Sequence, residues 1–128
     1  MKTNDLTYAI IGAAYKVHKE LGPGLLENIY EEALAYQLTS EGLIIERQVP
    51  LPVYYRGIRL DCDYRLDILV NKQVIVELKS VRTVSDIFKK QLLTYLRISR
   101  LAVGLLINFN EVNLTKGISR IVNNFADS

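Results

Sequence analysis

The chain has 128 residues, enough for one domain with a real core and too few for two of ordinary size. Hydrophobic residues at 49% and charged residues at 23% describe a globular protein and exclude a disordered or fibrous one. A formal net charge of +2 tolerates a polyanionic partner without demanding one, and the single cysteine, Cys62, excludes an internal disulfide and a cysteine-built metal site.

No apolar run approaches the ~20 residues of a membrane span, so no membrane role is expected. The N-terminus lacks the basic, apolar, small-residue order of a signal peptide, and the cysteine usage suits a reducing compartment; a cytoplasmic location is the expectation.

From about Asn4 to Leu21 the apolar residues Leu6, Ile10, Ala13, Ala14, Val17 and Leu21 recur at helical spacing. Thr3 or Asn4 is placed to cap this helix, and the Gly22-Pro23-Gly24 run ends it. His18, the only histidine, lies at the flank of the stripe and reads as a boundary residue rather than a base. A second helix is predicted from about Leu25 to Ser40, with Leu26, Ile29, Tyr30, Ala33, Leu34 and Leu38 inward. Glu27, Glu31 and Glu32 fall in its first turns, where negative charge suits the helix dipole. Glu27 lies closest to the apolar edge, beside Tyr30, and can point toward a sheet.

Ile44 to Val49 begins the strands, and Pro50 and Pro52 predict an edge or a bend. Val53 to Tyr55, a turn at Arg56-Gly57, and Ile58 to Cys62 read as a hairpin, with Asp61 and Asp63 as turn or edge residues. A second hairpin follows between Arg65 and Lys79. With Asn71-Lys72-Gln73 as its loop, Val70 pairs with Val74 and Asp67 stands opposite Glu77. Alternation then puts Asp67, Leu69, Ile75, Glu77 and Lys79 on one face and Ile68, Val70, Val74, Val76 and Leu78 on the other. Two carboxylates held side by side repel unless one is protonated or a cation lies between them. A divalent ion with oxygen ligands relieves that repulsion, and Lys79 can hold a water or a phosphate oxygen beside it. The structural alternative is a solvated edge or an ion-pair network.

Val84 to about Ser99 predicts an amphipathic helix with Val84, Ile87, Phe88, Tyr95 and Ile98 in one stripe and Gln91 in its middle. Lys89, Lys90, Arg97 and Arg100 fall on the outer face as solvated charge. Leu101 to Phe109 is a nearly continuous apolar run, which fits a buried strand reached by a helical crossover. Between Leu114 and Phe125 a short last strand is expected at Gly117 to Val122. The order predicts an α/β sandwich around a mixed sheet, an antiparallel meander leading into a crossover, within a single domain over residues 1–128.

The spacing Asp67-x9-Glu77-x-Lys79 ahead of a helix resembles the PD-(D/E)XK nuclease superfamily, with Leu66 in place of the usual proline. Gln91-x3-Tyr95 is similar to the Q-x3-Y motif of RecB-like members, although Phe88-Lys89-Lys90 stands where relatives carry a histidine. Gly24-x2-Glu27-x2-Tyr30 resembles the signature of the GxxExxY family, as do the stretches 17–24, 46–55 and 104–109. The resemblance implies a restriction-endonuclease-like core, a mixed central sheet flanked by helices, and Mg²⁺- or Mn²⁺-dependent hydrolysis of phosphodiester bonds, in DNA before RNA. It implies Asp67, Glu77, the Leu78 carbonyl and Glu27 as metal ligands, Lys79 beside the attacking water, and Gln91 and Tyr95 as orienting residues. Two other readings stand beside it: a nucleic-acid- or protein-binding module that keeps the fold without cleaving, and an interaction protein such as a homodimer.

Overall fold

The structure is a computed structural model and describes residues 1–124. Two helices come first, α1 (Thr3–Leu21) and α2 (Glu27–Ser40), then β1 (Ile45–Tyr55), β2 (Ile58–Val70) and β3 (Val74–Lys79). Helix α3 (Asp86–Ser99) leads to β4 (Val103–Asn108), and a short 3₁₀ turn (Leu114–Gly117) leads to β5 (Ile118–Val122). The five strands form one sheet in the order β1-β2-β3-β4-β5. All neighbours are antiparallel except β3 and β4, which α3 joins as parallel strands. The expected meander and crossover, and the mixed α/β sheet, are what the chain forms.

The β2–β3 register follows from its turn. Asn71 and Lys72 both adopt left-handed backbone angles, and the Gln73 N–H donates to the Val70 carbonyl at 2.9 Å. Asparagine tolerates that conformation through its short polar side chain. Asn71 also receives the Ile44 N–H on its Oδ1 and donates its own N–H to the Ile44 carbonyl, stitching the turn to the start of β1. Val70 therefore pairs with Val74, Leu69 with Ile75 and Ile68 with Val76, in the register that the three-residue loop requires.

Helices α1 and α2 cover one face of the sheet, burying Ile68, Val70, Val74, Val76, Leu78, Leu105, Ile107 and Phe109. Helix α3 covers the other, over Leu51, Leu66, Ile75 and Leu106. All of β4 is buried, as its apolar run predicts for a central parallel strand.

Several boundaries and faces differ from expectation. Helix α1 starts without a side-chain cap, because Thr3 is already helical and Lys2 is the cap residue. Helix α2 starts at Glu27, which leaves Leu26 and Ile29 exposed; Tyr30, Glu31, Leu34, Ala35 and Leu38 are the buried set. The stripe is rotated by about one residue, and Glu31 enters the interior because Arg47 pairs with it at 2.8 Å and Gln48 donates to its other oxygen at 2.7 Å. Leu21 is exposed because it lies past the last packed turn of α1. In α3 the buried residues are Leu92, Tyr95 and Leu96, so Ile87 and Ile98 face solvent and Gln91 moves from mid-stripe to the flank. Pro50 and Pro52 do not interrupt β1: it is an edge strand, where a missing N–H can face away from the ladder. The two expected hairpin arms are thus one long β1–β2 ribbon, and Asp61 and Asp63 lie inside β2. The strand expected near Gly117 to Val122 is β5; Phe125 lies outside the described residues.

Gly117 ties β5 to the end of β4. A Cβ built there would stand 2.4 Å from the Asn108 carbonyl oxygen. Gly117→Ala is expected to lower stability by about 1–3 kcal/mol, the usual range for overpacking, read as a lower midpoint in urea with unchanged slope.

Candidate active site at the seam of β2 and β3

The ladder between β2 and β3 runs from Val70–Val74 to Ile68–Val76 and then stops. Beyond it β2 turns away with β1. Ile68 packs under α1 and α2, whereas Leu66, two residues back, packs under α3. Strict alternation would have kept the two on one face. The partner strand bends at the same level: Gln48, between the residues paired with Ile68 and Leu66, has φ of 51°.

Asp67 sits at this divergence. Its N–H donates to Glu77 Oε1 at 3.3 Å, and the Leu78 N–H donates to Asp67 Oδ2 at 2.8 Å. Two carboxylates thus accept the N–H groups that point into the opening gap. In a strand the N–H and C=O of one residue point to the same side, so the Leu78 carbonyl also faces the seam. Asp67 and Glu77 meet at this seam.

Their electrostatics follow from that confinement. Glu77 is only 8% exposed. Burial, the Asp67 charge and a carboxyl–carboxyl hydrogen bond with Asp67 push its pKa up to about 9, against weaker opposition from the Asp67 N–H and Lys79. Glu27, exposed in the first turn of α2, lies within electrostatic reach of Asp67 and Lys79. Partial burial of its carboxyl end and the charges of Asp67 and Glu31 raise its pKa, while Lys79 pulls it down. Lys79 is half-buried with Nζ 4.3 Å above the centre of the Phe88 ring. Tyr95 lies within electrostatic reach of both carboxylates; burial first, then Glu77, Tyr64 and Asp67, push its hydroxyl up to about 12. Its ring packs on Tyr64 with centroids 4.8 Å apart.

Hydrogen bonds join Asp67, Glu77 and Leu78, and Lys79 and Tyr95 lie within electrostatic reach of the pair; Glu27 feels Asp67 and Lys79 but does not join the two carboxylates in a cluster among the described residues. Gln91 stands apart. It is half-buried one turn before Tyr95, lining a groove with Tyr64, Ile87, Lys90 and Thr94, and no hydrogen bond joins it to the carboxylates among the described residues.

Residues that the sequence did not assign to the site hold this arrangement in place. The Tyr30 hydroxyl donates to the Gly22 carbonyl at 2.5 Å and accepts the Leu25 N–H at 3.1 Å, while its ring stacks on Phe109 at 4.6 Å. Ser80 Oγ donates to the Leu25 carbonyl at 2.6 Å, and the Phe109 N–H donates to the Lys79 carbonyl. The loop that delivers Glu27 is thus bound to the end of β3 that carries Lys79. Asn108, fully buried, accepts the Val81 N–H and donates to the Val81 carbonyl. A polar residue inside the apolar run 101–109 was the one available signal for it.

No group of three or more His, Cys, Asp or Glu side chains converges into a metal cluster among the described residues. The donors that do meet, two hard carboxylates in a seam faced by a carbonyl, fit Mg²⁺, which is commonly held by one or two carboxylates plus water and phosphate oxygens. The larger surface concavities, such as one of about 440 Å³ lined by Glu32, Tyr36 and Arg47, do not include the carboxylate pair.

A model of the PD-(D/E)XK nuclease superfamily matches residues 4–121, and the chain belongs to that superfamily. The mixed sheet with helices on both faces is consistent with its restriction-endonuclease-like fold. Nucleases of the superfamily generally use divalent metals. No curated protein and no solved structure gives a match. No helix among the described residues is long and apolar enough to cross a membrane.

Two measurements probe the seam. Folded Glu77 keeps its proton up to about pH 9, whereas the unfolded chain loses it near 4.5. The folded state then binds more protons across that window, so metal-free stability falls as pH rises from about 4.5 to 9. Glu77→Gln is expected to flatten this slope in melting curves, and Mn²⁺ is expected to raise the wild-type melting temperature more at pH 8 than at pH 5.5. Tyr30→Phe keeps the ring stack and removes the clamp on the 22–25 loop. Its expected cost is about 1–2 kcal/mol in urea unfolding, with weakened Mn²⁺ affinity by calorimetry.

Proposed function

We infer that this protein is a divalent-metal-dependent nuclease that hydrolyses phosphodiester bonds in DNA. The observation that carries the reading is the Asp67–Glu77 pair: two carboxyl groups pressed into one buried seam, with Glu77 kept protonated to about pH 9 unless a cation relieves it. Asp67, Glu77 and the Leu78 carbonyl would hold Mg²⁺ or Mn²⁺, with Glu27 reaching it from α2. Held there, such an ion would supply an acidified water and charge stabilisation at the phosphate. Lys79 stands over Phe88 beside that position, where its ammonium can orient the attacking water and stabilise the charge that develops. Tyr95 keeps its hydroxyl proton well above neutral pH and can donate it to a phosphate oxygen. Gln91, on the flanking groove with Tyr64, is assigned to substrate contact rather than to the ligands.

The Gly24-x2-Glu27-x2-Tyr30 signature and Gln91-x3-Tyr95 support placement in the GxxExxY group with a RecB-like helix motif, acting as one nuclease-like domain. The exposed free thiol of Cys62 supports a cytoplasmic setting. The alternative is a module that binds nucleic acid or protein on the same fold without cleaving; the missing family histidine, with Phe88-Lys89-Lys90 in its place, favours it.

Asp67→Asn and Glu77→Ala are expected to weaken both metal binding and cleavage. Lys79→Ala should leave Mn²⁺ bound, with affinity equal or higher, while cutting the hydrolysis rate by roughly 10²-fold or more. Calorimetry with Mg²⁺ and Mn²⁺ and cleavage of labelled single- and double-stranded DNA check this. Wild-type protein that binds neither ion and cuts no DNA would overturn the reading; ion binding without cutting would establish the module.

A further inference from the structure

One groove at this end of the sheet collects three cations against a single carboxylate, with none of them in an ion pair among the described residues. It has a volume of about 250 Å³ and is lined by Arg82, Thr83, Lys89, Glu111, Lys116 and Ser119, among others. Three cations and one carboxylate line it, with two hydroxyls. The ion pairs among the described residues are Lys16–Glu41, Arg47–Glu31 and Arg47–Glu32, and none involves this groove. An outer-face role as solvated charge was expected for Lys89, yet it faces two other cations across a concave surface.

The walls are fixed rather than loose. Arg82 follows a peptide pinned from both sides: the Asn108 side chain accepts the Val81 N–H at 3.1 Å and donates to the Val81 carbonyl at 2.9 Å, and Asn110 donates to the same carbonyl at 3.2 Å. Lys116 stands next to Gly117, whose close approach to the Asn108 carbonyl holds the 3₁₀ turn against β4. Like charges held together on such a frame repel, so the arrangement favours an anion that bridges them.

Its place relative to the seam decides which anion. Arg82 lies three residues after Lys79, and Lys89 follows Phe88, the ring under the Lys79 ammonium. Two strand widths, roughly 10 Å, separate β3 from β5 at the same end of the sheet. In B-DNA that is about three base-pair steps of ~3.4 Å measured along the helix axis. We propose that this groove binds the phosphodiester backbone of a polynucleotide a few nucleotides away from the phosphate held at Asp67 and Glu77. Arg82, Lys89 and Lys116 contact phosphate oxygens, and Thr83 and Ser119 can add hydrogen bonds. The proposal rests on the nuclease reading for its substrate class and names the path that the substrate takes.

The test separates binding from chemistry. Fluorescence anisotropy of labelled 20-nucleotide single strands and duplexes is measured in EDTA over a range of KCl. The probe proteins are wild type, Arg82→Ala/Lys89→Ala/Lys116→Ala, and Lys2→Ala/Lys19→Ala/Lys72→Ala, which removes the same charge elsewhere. The groove variant is expected to bind about tenfold or more weakly, with the slope of log K against log salt reduced by about two to three for duplex. The control should follow wild type. With Mn²⁺, the groove variant should still hydrolyse bis(p-nitrophenyl) phosphate, which is too small to reach the groove, while losing polynucleotide cleavage. Equal affinity and salt slope in the two triple variants would overturn the proposal, as would polynucleotide cleavage at the wild-type rate by the groove variant. Wild-type protein that binds through the groove but cleaves neither substrate would support the groove and defeat the nuclease reading instead.

Discussion

At the point where β2 leaves β3, the N–H groups of Asp67 and Leu78 donate to carboxylate oxygens instead of continuing the ladder. A sheet that opens must satisfy the backbone groups it exposes, because an unpaired buried N–H costs about as much as a lost hydrogen bond. Asp67 and Glu77 meet that demand, and in doing so they are brought together where their charges repel. The structural solution and the chemical opportunity are one feature. Neither carboxylate can be removed without also stranding a backbone donor, so a loss of activity on substitution has to be read beside a measurement of stability.

The rest of the molecule holds that seam still. On one side of the sheet, α1 and α2 pack over the apolar face of β2, β3 and β4, and Tyr30 stacks on Phe109 while clasping the loop ahead of Glu27. On the other, α3 carries Phe88 under Lys79 and Tyr95 toward the carboxylates. Ser80 and Asn108 bind the chain leaving β3 to its neighbours. Charged groups from β2 and β3, and an aromatic ring and a hydroxyl from α3, therefore meet at the seam. Their supports are buried hydrogen bonds and ring contacts, which position side chains more firmly than a loop does.

Electrostatic imbalance is concentrated at this end of the sheet. Elsewhere the buried Glu31 is matched by Arg47 and Gln48, and its structural role is complete. At the seam the burial of Glu77 is unmatched, and Lys79, the one nearby cation that acts on both Glu27 and Glu77, offsets only part of it. Beyond Lys79 the sign reverses, with Arg82, Lys89 and Lys116 around a single carboxylate. An acidic seam bordered by a predominantly basic groove is the charge distribution that a metal and a polyanion would complete together.

What the sequence by itself determined is what short-range rules control. The loop at Asn71-Lys72-Gln73 set the register, β-branched runs set the central strands, and alternation separated the two faces from Ile68 to Leu78. The charged residues in those strands marked the candidate site, and the superfamily was readable from the sequence. Tertiary structure decided what no local period encodes. The stripes of α2 and α3 are rotated from their predicted positions because a helix turns toward the contacts it finds: Glu31 is drawn inward by Arg47, and Gln91 is displaced to the flank by the packing of Leu92 and Leu96. The flip between Leu66 and Ile68 required Gln48 to bend the neighbouring strand, an event on a different segment of chain. Side-chain pattern reports which residues prefer burial; only the packed sheet and helices decide which of them meet.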